Sequence, residues 1–198
     1  MTLSSPDVLT TEMLLAAYSA GIFPMAVNEQ GDIAWFSPDP RAIIPLDERF
    51  HISHGLRRIL KKNPFEIAYD QRFEEVIRGC SAAHGSTWIS KDIIHSYCRL
   101  YEEGYAHSVE VLKDGKLVGG LYGVHLGTAF FGESMFHRAT DASKVALVAL
   151  VERLRRNQFT LLDTQWMTPH LGQFGTYLIP KQEYLELLKQ AIRRKINF

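Results

Sequence analysis

The sequence predicts an α+β fold in which helices pack on a mixed β-sheet, and three observations lead to this prediction. Residues 107–136 show the pattern of three consecutive strands, and Asp114-Gly115 supplies a strong hairpin turn. A helix-patterned segment and a short apolar strand follow this meander. The residues before position 107 carry mostly helical patterns. A meander followed by a helix and another strand fits a mixed sheet with helices packed on it.

The first elements are a short helix and a loop. Thr10 or Thr11 can cap a helix over residues 12–20, which Gly21 ends. Prolines forbid a long helix in the next segment, residues 21–46, and its aromatic residues predict an ordered, loop-rich surface. The prolines are Pro24, Pro38, Pro40 and Pro45, and the aromatic residues are Phe23, Trp35 and Phe36. Trp35 and Phe36 are interpreted as structural residues that fix the proline loop.

Cap signals mark the helices that follow. Ser53 can cap a basic helix that runs to about Lys62, and residues 65–69 read as a strand. Asp70 can cap a helix to Gly79, and Ser90 can cap another that ends at Gly104. The N-terminal half is therefore predicted to be mostly helical.

The remaining elements complete the sheet. The second turn of the meander is expected near Leu126-Gly127, and Asp141 or Ser143 can cap a helix to about Asn157. A strand over residues 159–165 and a last helix from about Gln182 follow.

Two domains are predicted from this order of elements. Residues 1–64 would form a small N-terminal domain with the proline and aromatic loop and the basic helix. Residues 65–198 would form a catalytic domain whose architecture resembles the acyl-CoA N-acetyltransferase (GNAT-like) fold.

Composition narrows the class of protein. With 198 residues, 46% of them hydrophobic, the chain can bury a full core, and its formal net charge of zero gives no global attraction to nucleic acid or acidic membranes. Cys80 and Cys98 are best read as reduced thiols, and His51 and His54 lack further ligands for a zinc site. No leader or membrane-spanning segment is recognised, so a cytoplasmic protein is expected.

Two acids and an amide lie around the predicted helix of residues 141–157. A carboxylate at the end of an apolar strand is costly to bury without a partner, so Asp163 calls for one, and Gln165 is the nearest candidate. Side chains two residues apart on a strand share a face, and Glu133 ends another strand that can reach the same place. On the residues alone, buried hydrogen bonds that merely fix the sheet are the favoured interpretation.

A closer resemblance comes from longer strings. In order, the chain contains AYSAGIFPM, WFSPDPRAIIPL, FHIS, TWIS, HSVEV, LVGGLYGV, GESMF, ASK and LLDTQ. Over nearly its whole length it resembles the leucyl/phenylalanyl-tRNA–protein transferases, bacterial enzymes of the N-degron pathway. The resemblance implies transfer of Leu or Phe from aminoacyl-tRNA to the N-terminal α-amine of a protein, with no metal or bound cofactor. Acceptors beginning with Arg or Lys and a monomeric enzyme are also expected.

The resemblance also implies roles for particular residues. Asp163 would polarise Gln165, whose side-chain carbonyl takes a hydrogen from the incoming amine, unless the ribose of the tRNA carries part of that work. Glu133 would help to hold the cationic acceptor. The other expected sites are an aminoacyl pocket (Leu121, Phe130, Leu147, Leu150, Leu154), a stacking site for the terminal adenosine (Trp88, Met25) and a tRNA-binding helix face (Arg57, Arg58, Lys61, Lys62). Met25 stands where better-known members have Trp, and Leu150 and Leu154 make the pocket less aromatic than theirs. The preference between Leu, Phe and Met is therefore open.

Each site has a plainer interpretation. The leucines also fit an ordinary core stripe, and the basic residues also fit a solvated helix face. Two other functions remain open. An acetyl-CoA-dependent N-acetyltransferase needs a glycine-rich turn before the main helix, and HRATDAS has no glycine. A non-catalytic RNA-binding module would need the basic helix and Trp88 but not the two acids and the amide.

Overall fold

The computed structural model describes residues 9–28, 30–83 and 88–198. Within these residues the helices are α1 Thr11–Ser19, α2 His54–Lys62, α3 Phe73–Ala83, α4 Lys91–Glu102, α5 Ala142–Arg156, α6 Pro169–Gly172 and α7 Lys181–Ala191. The strands are β1 Phe23–Ala26, β2 Ile33–Phe36, β3 Arg41–Ile44, β4 Glu66–Tyr69, β5 Ala106–Lys113, β6 Lys116–Leu126, β7 Ala129–His137, β8 Leu161–Asp163 and β9 Tyr177–Ile179. None of these helices has the length and apolar character needed to cross a bilayer.

A seven-stranded mixed sheet organises the molecule, which confirms the predicted α+β class. Its order is β4-β5-β6-β7-β8-β3-β9, and β7 with β8 is its parallel pair. The meander of β5, β6 and β7 is antiparallel as predicted. Asp114 and Gly115 both adopt positive φ, 52° and 72°, as a tight hairpin turn between twisted strands requires.

The parallel pair splits halfway along β7, and this split positions the candidate site. β8 pairs with β7 only from Ala129 to Phe131 and ends at Asp163, whereas β7 continues to His137. The second half of β7 therefore has β6 on one side and, within the described part of the chain, no strand on the other. The space between the two strands is lined by residues beyond the paired segments, beginning with Gly132 on β7 and Thr164 after β8.

Two hydrophobic clusters cover the sheet. One cluster includes residues of α1, α3 and α4, and the other is built around α5, which buries residues on nearly its whole circumference. Close packing between α5 and the sheet requires glycine at one position of β6. A Cβ at Gly119 would approach the Cβ of Ala142 to 2.6 Å, so glycine at this position lets the start of α5 lie directly on β6.

Several predicted helix starts are confirmed. The side chains of Thr10, Ser53 and Ser90 accept hydrogen bonds from the main chain of α1, α2 and α4, as N-cap residues do. Asp141 is the N-cap of α5, but it has positive φ and its side chain makes no capping hydrogen bond. The helix expected directly after Asp70 begins instead at Phe73.

The region of residues 21–46 differs from the prediction. It was expected to be loop-rich in a mostly helical N-terminal half, yet it contains β1, β2 and β3. Prolines concealed these four-residue strands: Pro24 is tolerated because β1 belongs to an isolated hairpin, and Pro40 and Pro45 flank β3. Strand β9 and helix α6 were not predicted either.

The division at residue 64 stays a prediction. Strand β3, which precedes that boundary, pairs with β8 and β9 and so belongs to the large sheet.

Candidate functional site

A cavity of about 490 Å³ opens between the split strands β7 and β8. Its walls come from the β1 strand, the meander, α5 and the segment that joins β8 to α6. The lining side chains are largely apolar, and Glu133 is the one acidic residue among the described residues that line it. A mostly apolar cavity with some convergent polar groups is the usual form of a small-ligand site.

A buried ion pair lies beneath this cavity. The guanidinium of Arg41 donates to both carboxylate oxygens of Asp163, from Nε at 2.9 Å and from Nη2 at 2.6 Å, and both side chains are 1% exposed or less. The hydroxyl of Tyr184 donates to the same carboxylate at 2.8 Å, and Arg41 Nη1 donates to the carbonyl of Gly21 at 3.0 Å. Burial works to lower the pKa of Arg41, but the hydrogen bonds and the charge of Asp163 outweigh it and raise that pKa.

Asp163 also fixes the chain at Gln165. Its Oδ1 accepts the main-chain N–H of Gln165 at 2.9 Å, and Gln165 adopts a left-handed conformation with φ of 59°. The predicted strand therefore ends two residues early, and strand alternation does not set the direction of the amide. The partner expected for Asp163 is only partly correct: the carboxylate binds the main chain of Gln165, and its principal partner is Arg41.

The amide of Gln165 is oriented by Glu133. Nε2 of Gln165 donates to Oε1 of Glu133 at 3.1 Å, which assigns the nitrogen side of the amide. The amide oxygen makes no hydrogen bond with any described residue, and Gln165 lines the cavity. A hydrogen-bond acceptor is thus held in place at the cavity wall.

Three side chains among the described residues hydrogen-bond with Glu133. Besides Gln165, the hydroxyls of Tyr18 on α1 and Tyr97 on α4 hydrogen-bond with its carboxyl group, at 2.7 Å and 3.4 Å, and the two tyrosine hydroxyls also bond to each other. Burial raises the pKa of Glu133 to about 8, although the hydrogen bond from Tyr18 opposes this shift. Glu133 is therefore mostly protonated at neutral pH.

The predicted aminoacyl pocket divides into two groups. Leu121, Leu147 and Leu150 line the cavity together. Phe130 and Leu154 are fully buried in the core around α5 and are not among the lining residues. Three of the five predicted side chains thus face one apolar space.

The two predicted stacking residues also meet at the cavity. Met25 and Trp88 both line it, and the main-chain N–H of Ala26 donates to the carbonyl of Trp88 at 3.0 Å, which ties β1 to the segment before α4. The predicted tRNA-binding residues Arg57, Arg58, Lys61 and Lys62 are all exposed on α2 and do not line the cavity.

Sequence reasoning missed several residues of this site. Arg41 was detectable, because an arginine directly before the apolar run Ala42-Ile43-Ile44 signals a buried charge that needs a partner. Tyr18, Tyr97 and Tyr184 carried no such signal, since tyrosines on amphipathic helices are ordinary core residues. Trp166 was also missed. It lines the cavity, is 42% exposed and makes edge-on contacts with Phe23 and Phe36 at 5.1 and 6.0 Å between ring centroids.

Comparison with known proteins identifies a family. The family described as leucyl/phenylalanyl-tRNA protein transferase matches residues 43–189, and the N-terminal domain described for the same family matches residues 7–39. A leucyl/phenylalanyl-tRNA–protein transferase from Akkermansia muciniphila is 56% identical over 191 residues, covering 96% of this chain and 99% of the relative. One from Herpetosiphon aurantiacus is 54% identical over 190 residues, with 96% and 98% covered.

Similarity to solved structures concerns the fold alone. A crystal structure of FemX matches with a TM-score of 0.53 at 12% identity, over 91% of this chain and 71% of that one. A ribosomal-protein-alanine N-acetyltransferase from Brucella melitensis matches with a TM-score of 0.37 at 16% identity, over 50% of this chain and 76% of that one.

Proposed function

The chain belongs to the leucyl/phenylalanyl-tRNA–protein transferase family, and from this premise we propose that it moves Leu or Phe from aminoacyl-tRNA to the N-terminal α-amine of an acceptor protein. One observation carries the proposal at the level of residues. The amide oxygen of Gln165 is held at the wall of an apolar cavity by Glu133 on one side and by Asp163 through the main chain on the other.

The ester of aminoacyl-tRNA is already activated, so the main task of the protein is to position the ester and the amine. The α-amine attacks the ester carbonyl, a C–N bond forms, and the bond between that carbonyl and the ribose oxygen breaks. The amine loses a proton and the departing ribose oxygen gains one. Gln165 accepts a hydrogen bond from the attacking amine and directs its lone pair at the carbonyl, and a ribose hydroxyl of the tRNA carries the proton to the leaving oxygen. Asp163 acts on Gln165 through the main chain, so it is a positioning residue.

Glu133 has the second positioning role. Its three hydrogen bonds, with Gln165, Tyr18 and Tyr97, favour a part in orienting the amide. A carboxyl that is mostly protonated attracts a cation weakly, so the structure supports this role better than that of a binding site for the cationic acceptor.

The apolar wall of Leu121, Leu147 and Leu150 is proposed to hold the side chain of the donor amino acid. It offers contact area but no charged partner, so Leu and Phe are favoured over polar amino acids, and Met is a third donor of suitable shape. Phe130 and Leu154 would shape this pocket from behind.

The tRNA part of the donor is proposed to contact two surfaces of the protein. The terminal adenosine stacks on Trp88 with Met25 at its other side, and the phosphates of the acceptor arm lie against Arg57, Arg58, Lys61 and Lys62. The product carries a new N-terminal Leu or Phe, which would serve as an N-degron for protein degradation. Acceptors beginning with Arg or Lys, a cytoplasmic location beside charged tRNA and a monomeric enzyme complete the proposal.

A transfer assay with defined substrates tests this function. Radiolabelled Leu, Phe and Met on tRNA are each offered to peptides that differ only in their first residue. Transfer of Leu and Phe to peptides with a free α-amine supports the proposal. Acetylated peptides are the control and must stay unlabelled. Intact binding of charged tRNA without transfer to any peptide would favour the RNA-binding module, and transfer of acetyl from acetyl-CoA would favour the N-acetyltransferase.

A further inference from the structure

The walls of the cavity can be divided among the three parts that meet during the proposed reaction. Met25 and Trp88 form the wall proposed for the base, and the leucines of the meander and α5 form the wall proposed for the donor side chain. The segment after Gln165 forms a third wall, with Trp166 at its start, and neither the base nor the donor side chain is assigned to it. The acceptor is the remaining reactant, and this third wall is available to it.

Recognition of an Arg or Lys at the acceptor N-terminus needs a group that attracts a cation. Glu133 is the one acid among the described residues lining the cavity, and it already hydrogen-bonds with three side chains. Burial raises the pKa of Glu133 to about 8, so it carries little negative charge at neutral pH. An ion pair within the cavity is therefore a weak means of selection.

Trp166 has the chemistry and the position for this task. Tryptophan attracts guanidinium and ammonium groups to its ring face more strongly than the other aromatic side chains do. Trp166 directly follows Gln165, so its Cα lies about 3.8 Å from that of the residue that receives the amine. Gln165 and Trp166 both line the cavity, and the side chain of the first acceptor residue begins one bond from the Cα that bears this amine, so Trp166 is within reach of that side chain.

The indole of Trp166 is also ordered in advance. Phe23 and Phe36, which face each other across the β1–β2 hairpin, hold it by edge contacts at 5.1 and 6.0 Å, while 42% of the residue stays exposed. The same cluster already accommodates a cation on its buried side, because the guanidinium of Arg41 lies 5.1 Å from the ring centroid of Phe23. Asp163 neutralises that charge, so Arg41 does not repel a second cation.

Resting on the proposed transfer reaction, we propose that Trp166 selects acceptors by packing its indole against the guanidinium or ammonium group of the first residue. The contact is a cation–π interaction, and it is a specificity determinant separate from Gln165 and Glu133.

Peptides that differ in charge but hardly in shape test the proposal. One pair begins with Arg or citrulline, and the other with Lys or Nε-acetyl-lysine. The wild-type protein should prefer the charged member in kcat/KM by between roughly twofold, for an exposed contact, and roughly thirtyfold, for one shielded from water. Trp166→Ala should bring both ratios close to one, and Trp166→Phe should keep part of the preference.

Two further variants separate the possible causes. Trp35→Ala is the matched control, because Trp35 is 41% exposed and does not line the cavity, and it should keep the wild-type ratios. Glu133→Gln should lower transfer to all peptides and leave the ratios as they are.

Three outcomes would overturn the inference. The ratios persist in Trp166→Ala, they collapse in Glu133→Gln, or Trp166→Ala slows all peptides alike with a raised KM for charged tRNA, which would place the base on this indole. Absence of transfer by the wild-type protein to every peptide would refute the proposed function, and this inference with it.

Discussion

Replacing Asp163 by alanine should damage the fold as well as the reaction. The carboxylate accepts hydrogen bonds from Arg41 at 2.9 and 2.6 Å, from Tyr184 at 2.8 Å and from the main chain of Gln165 at 2.9 Å, in a place without solvent. Asp163→Ala leaves the guanidinium of Arg41 buried without its counter-charge. Removing one partner of a buried ion pair costs about 3–5 kcal/mol in the free energy of unfolding.

This loss is measurable by urea denaturation and by heat. For a chain of this size each kcal/mol lowers Tm by about 2–4 °C, so the fall in Tm should lie between about 6 and 20 °C. Loss of transfer in Asp163→Ala alone would therefore not distinguish a chemical role from a structural one.

A double variant separates the two roles. Replacing Arg41 and Asp163 together by Met and Leu removes both charges, and apolar replacement of a buried pair is often close to neutral. Arg41→Met/Asp163→Leu should regain at least half of the lost free energy of unfolding, whereas transfer should stay low because the N–H of Gln165 has lost its acceptor. An Asp163→Ala loss below about 1 kcal/mol, or a double variant no more stable than the single one, would refute this reasoning.

Three further predictions concern the rest of the site. Burial raises the pKa of Glu133 from its ordinary 4.5 to about 8, so the folded chain binds more protons than the unfolded chain between these values, and the free energy of unfolding falls as pH rises through this window. Glu133→Gln should therefore gain stability relative to the wild type between about pH 5 and about pH 8 in urea titrations, and parallel pH profiles would contradict the cause given for the shift. Trp88→Ala should raise the KM for charged tRNA by the equivalent of about 1–3 kcal/mol in steady-state assays, and Met25→Trp should lower this KM. KM values equal to that of the wild type would contradict stacking of the terminal adenosine on Trp88 and Met25. Arg58→Ala and Lys61→Ala should each reduce the magnitude of the slope of log affinity for tRNA against log salt concentration by about one in binding titrations. An unchanged slope would indicate that these residues of α2 are solvated and do not contact tRNA phosphates.

The sequence was informative where local chemistry decides the structure. The turn at Asp114-Gly115 and the caps at Thr10, Ser53 and Ser90 were predicted because each depends on a few adjacent residues. The α+β class followed from the order of the elements.

The sequence was less informative where distant residues decide the structure. Strand β3 completes the sheet between β8 and β9, far from both along the chain, and its prolines made it resemble a loop. The left-handed turn at Gln165 depends on Asp163, which depends in turn on Arg41, 122 positions away. Asp163 and Gln165 were predicted to act together, but the main-chain contact between them required this tertiary pairing.

The rate of transfer by Gln165→Met tests most directly whether the amide oxygen of Gln165 acts on the amine. Methionine keeps the length of the side chain and removes the amide oxygen, while Gln165→Asn is the matched variant that keeps an amide but withdraws it by one methylene. A positioned hydrogen-bond acceptor in a proton-transfer step contributes about 10²-fold or more. Single-turnover transfer should fall by at least this factor in Gln165→Met, with affinity for charged tRNA retained and the free energy of unfolding within about 1 kcal/mol of the wild type. Transfer near the wild-type rate by Gln165→Met would contradict this role of the amide oxygen.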